Sequence, residues 1–288
     1  MVQPYDEAHL DRFMNKIGEL PTVPLIIREL DQLVEDPKTT AADLNKVLST
    51  DPGLGTKVLR LANSPFYGIP RKVTNLTHAI SLLGFNVIRN IALSAFMFQM
   101  FDHQRMTFDP EKYWMHCVAN GTACRAIGDR LQQAAGEDLF IMGLLHDIGK
   151  LVIAQYSDRD YSQIVPKAQA SHQKVSEVEL EALGFNHCHV GAWLARHWQF
   201  PAVITDVLEN HHTPEDAQAR EVVLMVNYGD TLVRSLHLGM WEDQQLPYDG
   251  PTGWAELGGK IDDVGPVMDT ILKNMSASKM ILETFSFN

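Results

Sequence analysis

Seven side chains carry the chemistry this sequence could perform: His116, the adjacent His146 and Asp147 in GLLHDIGKL, His187, the adjacent His211 and His212 in LENHHTP, and Asp230 in VNYGDTLVRSL. Imidazole is the commonest metal ligand. Nitrogen and carboxylate donors without thiolate suit Mn, Fe, Co, Ni or Zn, with Mg admissible in part of such a site. Seven donors exceed what one ion requires, so the expected cofactor is a pair of divalent metal ions. With two ions about 3.5–4 Å apart, a shared water falls toward a pKa of about 7 and becomes a nucleophile near neutrality. Asp147 follows His146 directly and Lys150 lies one turn from His146, so the three share one arc of a helix.

Each of these residues has a plainer reading when taken alone. His116 shares a helical face with Tyr113, Asn120, Ala123 and Ile127, as a hydrogen-bonded core histidine would. His146, Asp147 and Lys150 lie opposite the apolar arc of Leu144, Leu145, Ile148, Leu151 and Val152, on a side that a lone amphipathic helix would turn to water. His211 and His212 continue the face of Val203, Ile204, Val207 and Leu208 before Pro214 stops the helix, so they enter a core or fray into solvent. Asp230 sits on a stripe with Val223, Val226, Asn227 and Val233, where a cation or a helix-interior ion pair would satisfy it. His187 is followed one turn later by Gly191, whose missing side chain would admit a neighbouring helix or an ion. What the readings share is direction: the residues project from different helices toward one interior, and a helical bundle gathers ligands in that way.

The elements that must position them are helical almost throughout, with no convincing period-2 strand. PLIIRELDQLVED, TAADLNKVLSTD with a Thr40 cap, and PGLGTKVLRLANS read as helices, NSPFYGIPRKV as a loop, then NLTHAISLLGF and NVIRNIALSAFMFQMF as a short and a long helix. Further helices are expected near 110–130, 138–155, 159–171, 176–183, 187–199, 201–212 and 219–238. Gly239 to Gly259 has no clear period, and one or two amphipathic helices close the chain. The expected fold is all-α, a multi-helix bundle with an N-terminal helical subdomain (1–108) packed on a metal-binding helical core (109–238), followed by an irregular loop and closing helices (239–288).

Composition narrows the partners. The chain has 288 residues and 45% hydrophobic side chains, enough for a real core. Residues 1–110 carry 11 basic and 12 acidic side chains, and the remainder 13 and 24, within a net charge of −12. The acidic second half repels a phosphate backbone, so bulk nucleic-acid binding is not expected, and a phosphate accepted there would need metal cations. Arg60, Arg71, Lys72 and Arg89 form either a recognition patch or a solvated surface. The three cysteines, Cys117, Cys124 and Cys188, have no CxxC spacing and read as small buried hydrophobes. No stretch approaches the roughly 18 apolar residues of a membrane span, and MVQPYDEAHLDRF has neither a basic start nor a long apolar run. A cytoplasmic protein without a membrane partner is expected.

The order H…HD…H…HH…D around HDIGK resembles the HD superfamily of metal-dependent phosphohydrolases over residues 110–235. LPTVPLIIRELDQLVEDPKTTAADLNKVLSTDPGLGTKVLRLANSPFYG, NLTHAISLLGF, GLLHDIGKLV and LGFNHCHVGAWLARHW resemble the HDOD family, together over most of residues 18–212. The resemblance implies that His116, His146, Asp147 and Asp230 match the core ligands of HD enzymes, that Lys150 matches the lysine of HDxGK, and that His187, His211 and His212 match the additional histidines of the HD-GYP branch. HDOD domains are usually described as having lost some ligands, whereas this chain retains them. It departs from HD-GYP proteins in continuing HHTPEDAQAR in place of ERxDGxGYP, and in having Lys112 where a third metal would call for a carboxylate. The implied function is hydrolysis of a phosphomonoester or phosphodiester, a nucleotide among them, in bacterial signalling. The alternative that the HDOD resemblance implies is a non-catalytic signal-transduction module with a structural or regulatory metal site and a signalling protein as partner.

Overall fold

The computed structural model describes residues 5–17, 23–101, 106–133, 136–157, 161–239 and 250–285. Their regular elements are all helical: α1 (Glu7–Lys16), α2 (Leu25–Glu35), α3 (Ala41–Leu48), α4 (Pro52–Ala62), α5 (Leu76–Leu83), α6 (Phe85–Met100), α7 (Pro110–Leu131), α8 (Gly136–Leu145), α9 (Ile148–Tyr156), α10 (Tyr161–Ser171), α11 (Val175–Leu183), α12 (His187–His197), α13 (Ala202–Asn210), α14 (Arg220–Ser235), α15 (Gly250–Glu256), α16 (Ile261–Lys273) and α17 (Met275–Phe285), with a 3-10 turn at Pro214–Asp216. This is the all-α fold that the periodicity predicts. Two compact units divide the chain, one of Met1–Leu20 with Asp102–Leu272 and one of Pro21–Phe101 with Lys273–Asn288.

The smaller unit is built from local signals. Thr40 caps α3 in a reciprocal box with Asp43, Asp51 caps α4 ahead of Pro52, and Asn75 caps α5. The loop between α4 and α5 is pinned by Asn63, whose Nδ2 donates to the Val73 carbonyl at 2.8 Å while its Oδ1 accepts from the Val73 N–H at 2.7 Å. Leu30, Leu44, Leu48, Val58, Ile80, Ile88 and Met97 form its core. Of the four cations weighed as a patch, Arg60, Arg71 and Lys72 are exposed, and Arg89 is half-buried, donating to Asn90 and lying near Asp31.

In the larger unit α7 is the axis, buried from Tyr113 to Gly128 on nearly every side by α8 and α14. The helix expected from Asp138 to Gln155 is two helices, because the chain breaks at His146–Asp147 and Asp147 becomes the residue ahead of α9. The polar arc of that segment does not face water: His146, Asp147 and Lys150 are all buried. By length and apolarity Asp138–Tyr156 could cross a membrane, contrary to the sequence expectation, but 89% of that window is buried in the protein, as a core helix is.

The glycine that lets two helices touch is Gly149. A Cβ there would lie 2.0 Å from the His187 carbonyl oxygen and 2.9 Å from the Gly191 nitrogen, so α9 and α12 cross backbone against backbone. Gly191 itself would tolerate a methyl group, which would meet the Leu208 side chain at an ordinary 3.5 Å.

The units are discontinuous in sequence, whereas the expected segments were continuous. Helix α1, which has no counterpart among the expected elements, belongs with the second-half helices: Tyr5 stacks on His189 at 4.0 Å and the Trp193 indole donates to Asp11 at 3.1 Å. Periodicity registers a helix face but not its distant partner. In the stretch expected to be irregular, 240–249 lie outside the described residues, while Gly250–Glu256 is helical. Trp254 explains the helix: it is buried, its backbone N–H donating to the Tyr228 hydroxyl and its indole to the Lys260 carbonyl.

Gly149→Ala is expected to destabilise the protein by about 3 kcal/mol, the upper end of overpacking costs, and Gly191→Ala by much less. Thermal unfolding of the two variants checks this, and equal midpoints would show that the crossing is not tight at Gly149.

Candidate metal centre

All seven residues singled out in the sequence come from the larger unit. His116 is supplied by the middle of α7, His146 and Asp147 by the break between α8 and α9, and His187 by the start of α12. His211 and His212 follow the end of α13, and Asp230 is on α14. His116, His146, Asp147, His187, His211 and Asp230 are each 2% exposed or less, while His212 is half-buried.

Asp147 stands between two groups of imidazoles. Its Oδ2 is 3.3 Å from His146 Nε2 and 3.8 Å from His116 Nε2. Its Oδ1 is 3.4 Å from His187 Nε2 and 3.6 Å from His211 Nε2. On the second side His187 Nε2 lies 3.1 Å from His212 Nε2. Two sets of donor atoms, each mutually within 4.8 Å, result: His116, His146 and Asp147, and His187, Cys188, His211 and His212. Asp230 borders the first set, its Oδ1 3.1 Å from His116 Nε2.

The ring orientations turn Nε2 of three imidazoles inward. His146 Nδ1 is 2.8 Å from the Gly143 carbonyl, His187 Nδ1 is 2.6 Å from Glu179 Oε2, and His211 Nδ1 is 3.2 Å from the Leu208 carbonyl. A proton on each Nδ1 satisfies those acceptors and turns Nε2 inward, the arrangement that outer partners impose on metal-binding histidines. Asn227 holds the α13 terminus by donating to the His211 carbonyl at 2.8 Å. His116 Nε2, His146 Nε2, Asp147 Oδ1 and Asp230 Oδ2 are buried without a hydrogen-bond partner. Leaving that many buried polar atoms unmatched in one place is costly, and cations between them would satisfy the set, so the residues present fit a metal centre.

The electrostatics of the carboxylates point the same way, while the rings divide. Against burial, Cys188 and Glu179 raise His187 well above its ordinary value, and Cys188 and Asp147 raise His211 to about 9, so a metal would displace a proton from each. Burial opposes ionisation of Asp147, yet the His146 ring and the Lys150 ammonium hold its carboxyl well below the usual range. Burial likewise opposes ionisation of Asp230, and Arg234 together with His116 and His146 more than offsets it, holding the carboxyl well below the usual range. Burial lowers His146 from its ordinary value, and burial with the neighbouring His211 and His187 pushes His212 well below, which favours the neutral imidazole a metal needs.

Further residues complete the site, some of them expected from the sequence and others, such as Arg234 and Glu179, not. The helix-interior ion pair weighed for Asp230 exists, with Arg234 Nε donating to Oδ1 at 2.9 Å, and it leaves Oδ2 unpartnered. The i, i+4 spacing of Asp230 and Arg234 was the available signal. Glu179 is fully buried; it orients His187 and accepts from the Tyr161 hydroxyl, and nothing local marks it. Lys150 donates to Asp147 Oδ2 at 2.8 Å. Cys117 and Cys124 are raised by burial, as hydrophobic thiols should be. Cys188 is not: burial opposes its ionisation, but His187 and His211 bring it down to about 6.

Residues 20–214 match the model of the HDOD domain family. An uncharacterized protein of Treponema pallidum is 24% identical over 244 residues, which are 82% of this chain and 45% of that protein, so the chain spans about half the length of the curated relative it matches. Among solved structures, an HDOD domain protein of unknown function from Geobacter sulfurreducens superposes with a TM-score of 0.82 at 24% identity, covering 97% of this chain and 98% of its own. A provisionally named phosphohydrolase from Shewanella amazonensis gives 0.74 at 24% identity over 95% and 98%. A provisionally named signal transduction protein from Marinobacter aquaeolei gives 0.80 at 21% identity over 97% and 64%. At these identities the structural likeness is one of fold.

Glu179→Gln is expected to weaken divalent-metal binding about 10–100-fold, the usual effect of losing an orienting partner. Calorimetric titration with Mn2+ measures it, and unchanged affinity would mean that His187 keeps its orientation without the carboxylate.

Proposed function

The chain belongs to the HDOD domain family, and on that footing we propose that it is a metal-dependent phosphohydrolase of the HD type, acting on a phosphomonoester or phosphodiester such as a nucleotide in bacterial signalling. The observation that supports this reading most is the position of Asp147, whose two oxygens each face a separate group of imidazoles. His116, His146, Asp147 and Asp230 would hold one divalent ion, and Asp147 with His187, His211 and His212 a second. Bound there, Fe, Mn, Ni, Co, Zn or Mg would supply Lewis-acid polarisation of a phosphoryl oxygen and a water acidic enough to ionise near neutrality.

The protein's own groups have definable tasks in that reaction. Asp147, with one oxygen toward each group of imidazoles, would hold the two positions in register. Lys150 fixes the Asp147 carboxylate and places a buried positive charge at the centre, where charge develops on the phosphoryl oxygens. Arg234 restrains Asp230 so that one oxygen remains for coordination. The half-buried His212 marks the side from which a phosphate reaches the centre, the other donors being enclosed. The acidity of the second half is then no obstacle, since the ions supply the positive field.

A second reading draws on the same enclosure. A cation surrounded by protein donors with no open position is structural, and such a site would serve a signalling module that acts through a protein partner. Turnover separates the two. With Mn2+ or Fe2+ loaded, a panel of phosphomonoesters and phosphodiesters should include a substrate whose hydrolysis Asp147→Ala abolishes together with metal binding. Lys150→Met should retain metal and lose about 100-fold in kcat. A metal-loaded protein inert toward the whole panel would leave the module reading.

A further inference from the structure

Two adjacent pairs of side chains meet on the second side of Asp147. His187 and Cys188 open α12, and His211 and His212 follow α13. The pairs face each other crosswise, with His187 Nε2 3.1 Å from His212 Nε2 and Cys188 Sγ 3.9 Å from His211 Nε2. The four donor atoms are mutually within 4.8 Å. A cation with bonds of about 2.0–2.3 Å to nitrogen and sulfur spaces adjacent ligands roughly 3.3–3.8 Å apart in a tetrahedral shell and somewhat closer in a five-coordinate one, so the four donors have the dimensions to share one ion with Asp147 Oδ1 as the fifth ligand. From these atoms we infer that Cys188 is itself a ligand, making the position bounded by His187, His211 and His212 a mixed sulfur and nitrogen site for a thiophilic cation such as Zn2+ or Fe2+.

The surroundings of the sulfur carry this. Cys188 is 4% exposed, so it is not a surface thiol. Its neighbour His211 has Nδ1 turned to the Leu208 carbonyl, and His187 has Nδ1 turned to Glu179, so both aim Nε2 at the same space. Cys124 differs: its thiol has carbonyl-type acceptors, Asn120 Oδ1 at 3.4 Å and the Met225 carbonyl at 3.8 Å. A sulfur that converges with three inward-facing ring nitrogens is held best by a cation that all of them coordinate. The two positions are then unlike. The one at His116, His146, Asp147 and Asp230 has only nitrogen and oxygen donors and accepts Mn2+ or Mg2+, while the one at Cys188 selects a softer ion.

This inference rests on the proposal that cations occupy the centre, and the experiment keeps the two apart. The full chain is loaded with Co2+ alone, its cobalt content is measured, and its near-ultraviolet spectrum is recorded. Two bound cobalt ions with a sulfur-to-cobalt charge-transfer band that disappears in Cys188→Ser but persists in Cys117→Ser and Cys124→Ser would support the assignment. Two bound ions without the band, or a band that survives Cys188→Ser, would overturn it while leaving the two-ion reading standing. No bound cobalt would overturn both. Because Cys188→Ser could misfold, X-ray absorption at the zinc edge of the Zn2+-loaded wild-type protein gives a check without substitution. One sulfur at about 2.3 Å is expected, and a first shell of nitrogen and oxygen alone would overturn the assignment.

Discussion

A carboxylate buried to 1% exposure, ionised, and flanked by four imidazoles and one ammonium is the constraint around which the larger unit is arranged. Taking such a charge out of water costs several kcal/mol unless opposite charge is brought to it. Lys150 meets part of that need through Oδ2, and Oδ1 is left facing ring nitrogens. Uncharged neighbours cannot complete the balance. Cations can, and their requirement for donors on several sides explains why three helices and two interhelical segments deliver donor side chains to one place.

The backbone features of the unit follow from that demand. An uninterrupted α-helix would carry His146 and Asp147 on along one rod; the break between α8 and α9 lets the pair project into the space between α7, α12 and α14. Gly149 then permits α12 to approach until its His187 carbonyl is within reach of the α9 backbone, which sets His187 beside Asp147. Glu179 and Arg234 act one layer out, fixing a ring and a carboxylate whose rotamers would otherwise be free.

Much of this was legible in the residues. The HDIGK signature, the paired histidines ahead of Pro214 and the apolar stripe interrupted by Asp230 each announce an inward polar group, and the helical periods place most elements to within a few residues. What escaped is long-range in sequence. Gly191 was the plausible contact glycine by spacing from His187, yet Gly149 makes the crossing, because the approach depends on where α9 meets α12. Glu179 is eight residues from His187 with a turn between them, and no periodicity links the two. Cys188 reads like Cys117 and Cys124 by composition, and only the fold sets it against imidazole nitrogens. The continuous segments expected from charge and turn residues missed that α1 packs with α12, for the same reason.

Anomalous diffraction from crystals of the protein grown with Mn2+ and Zn2+ tests the central claim most directly, because it counts the ions and places them relative to Asp147. Two peaks about 3.5–4 Å apart, each within bonding distance of a different Asp147 oxygen, are the predicted result. Well-ordered crystals in which no ion touches Asp147 would contradict it.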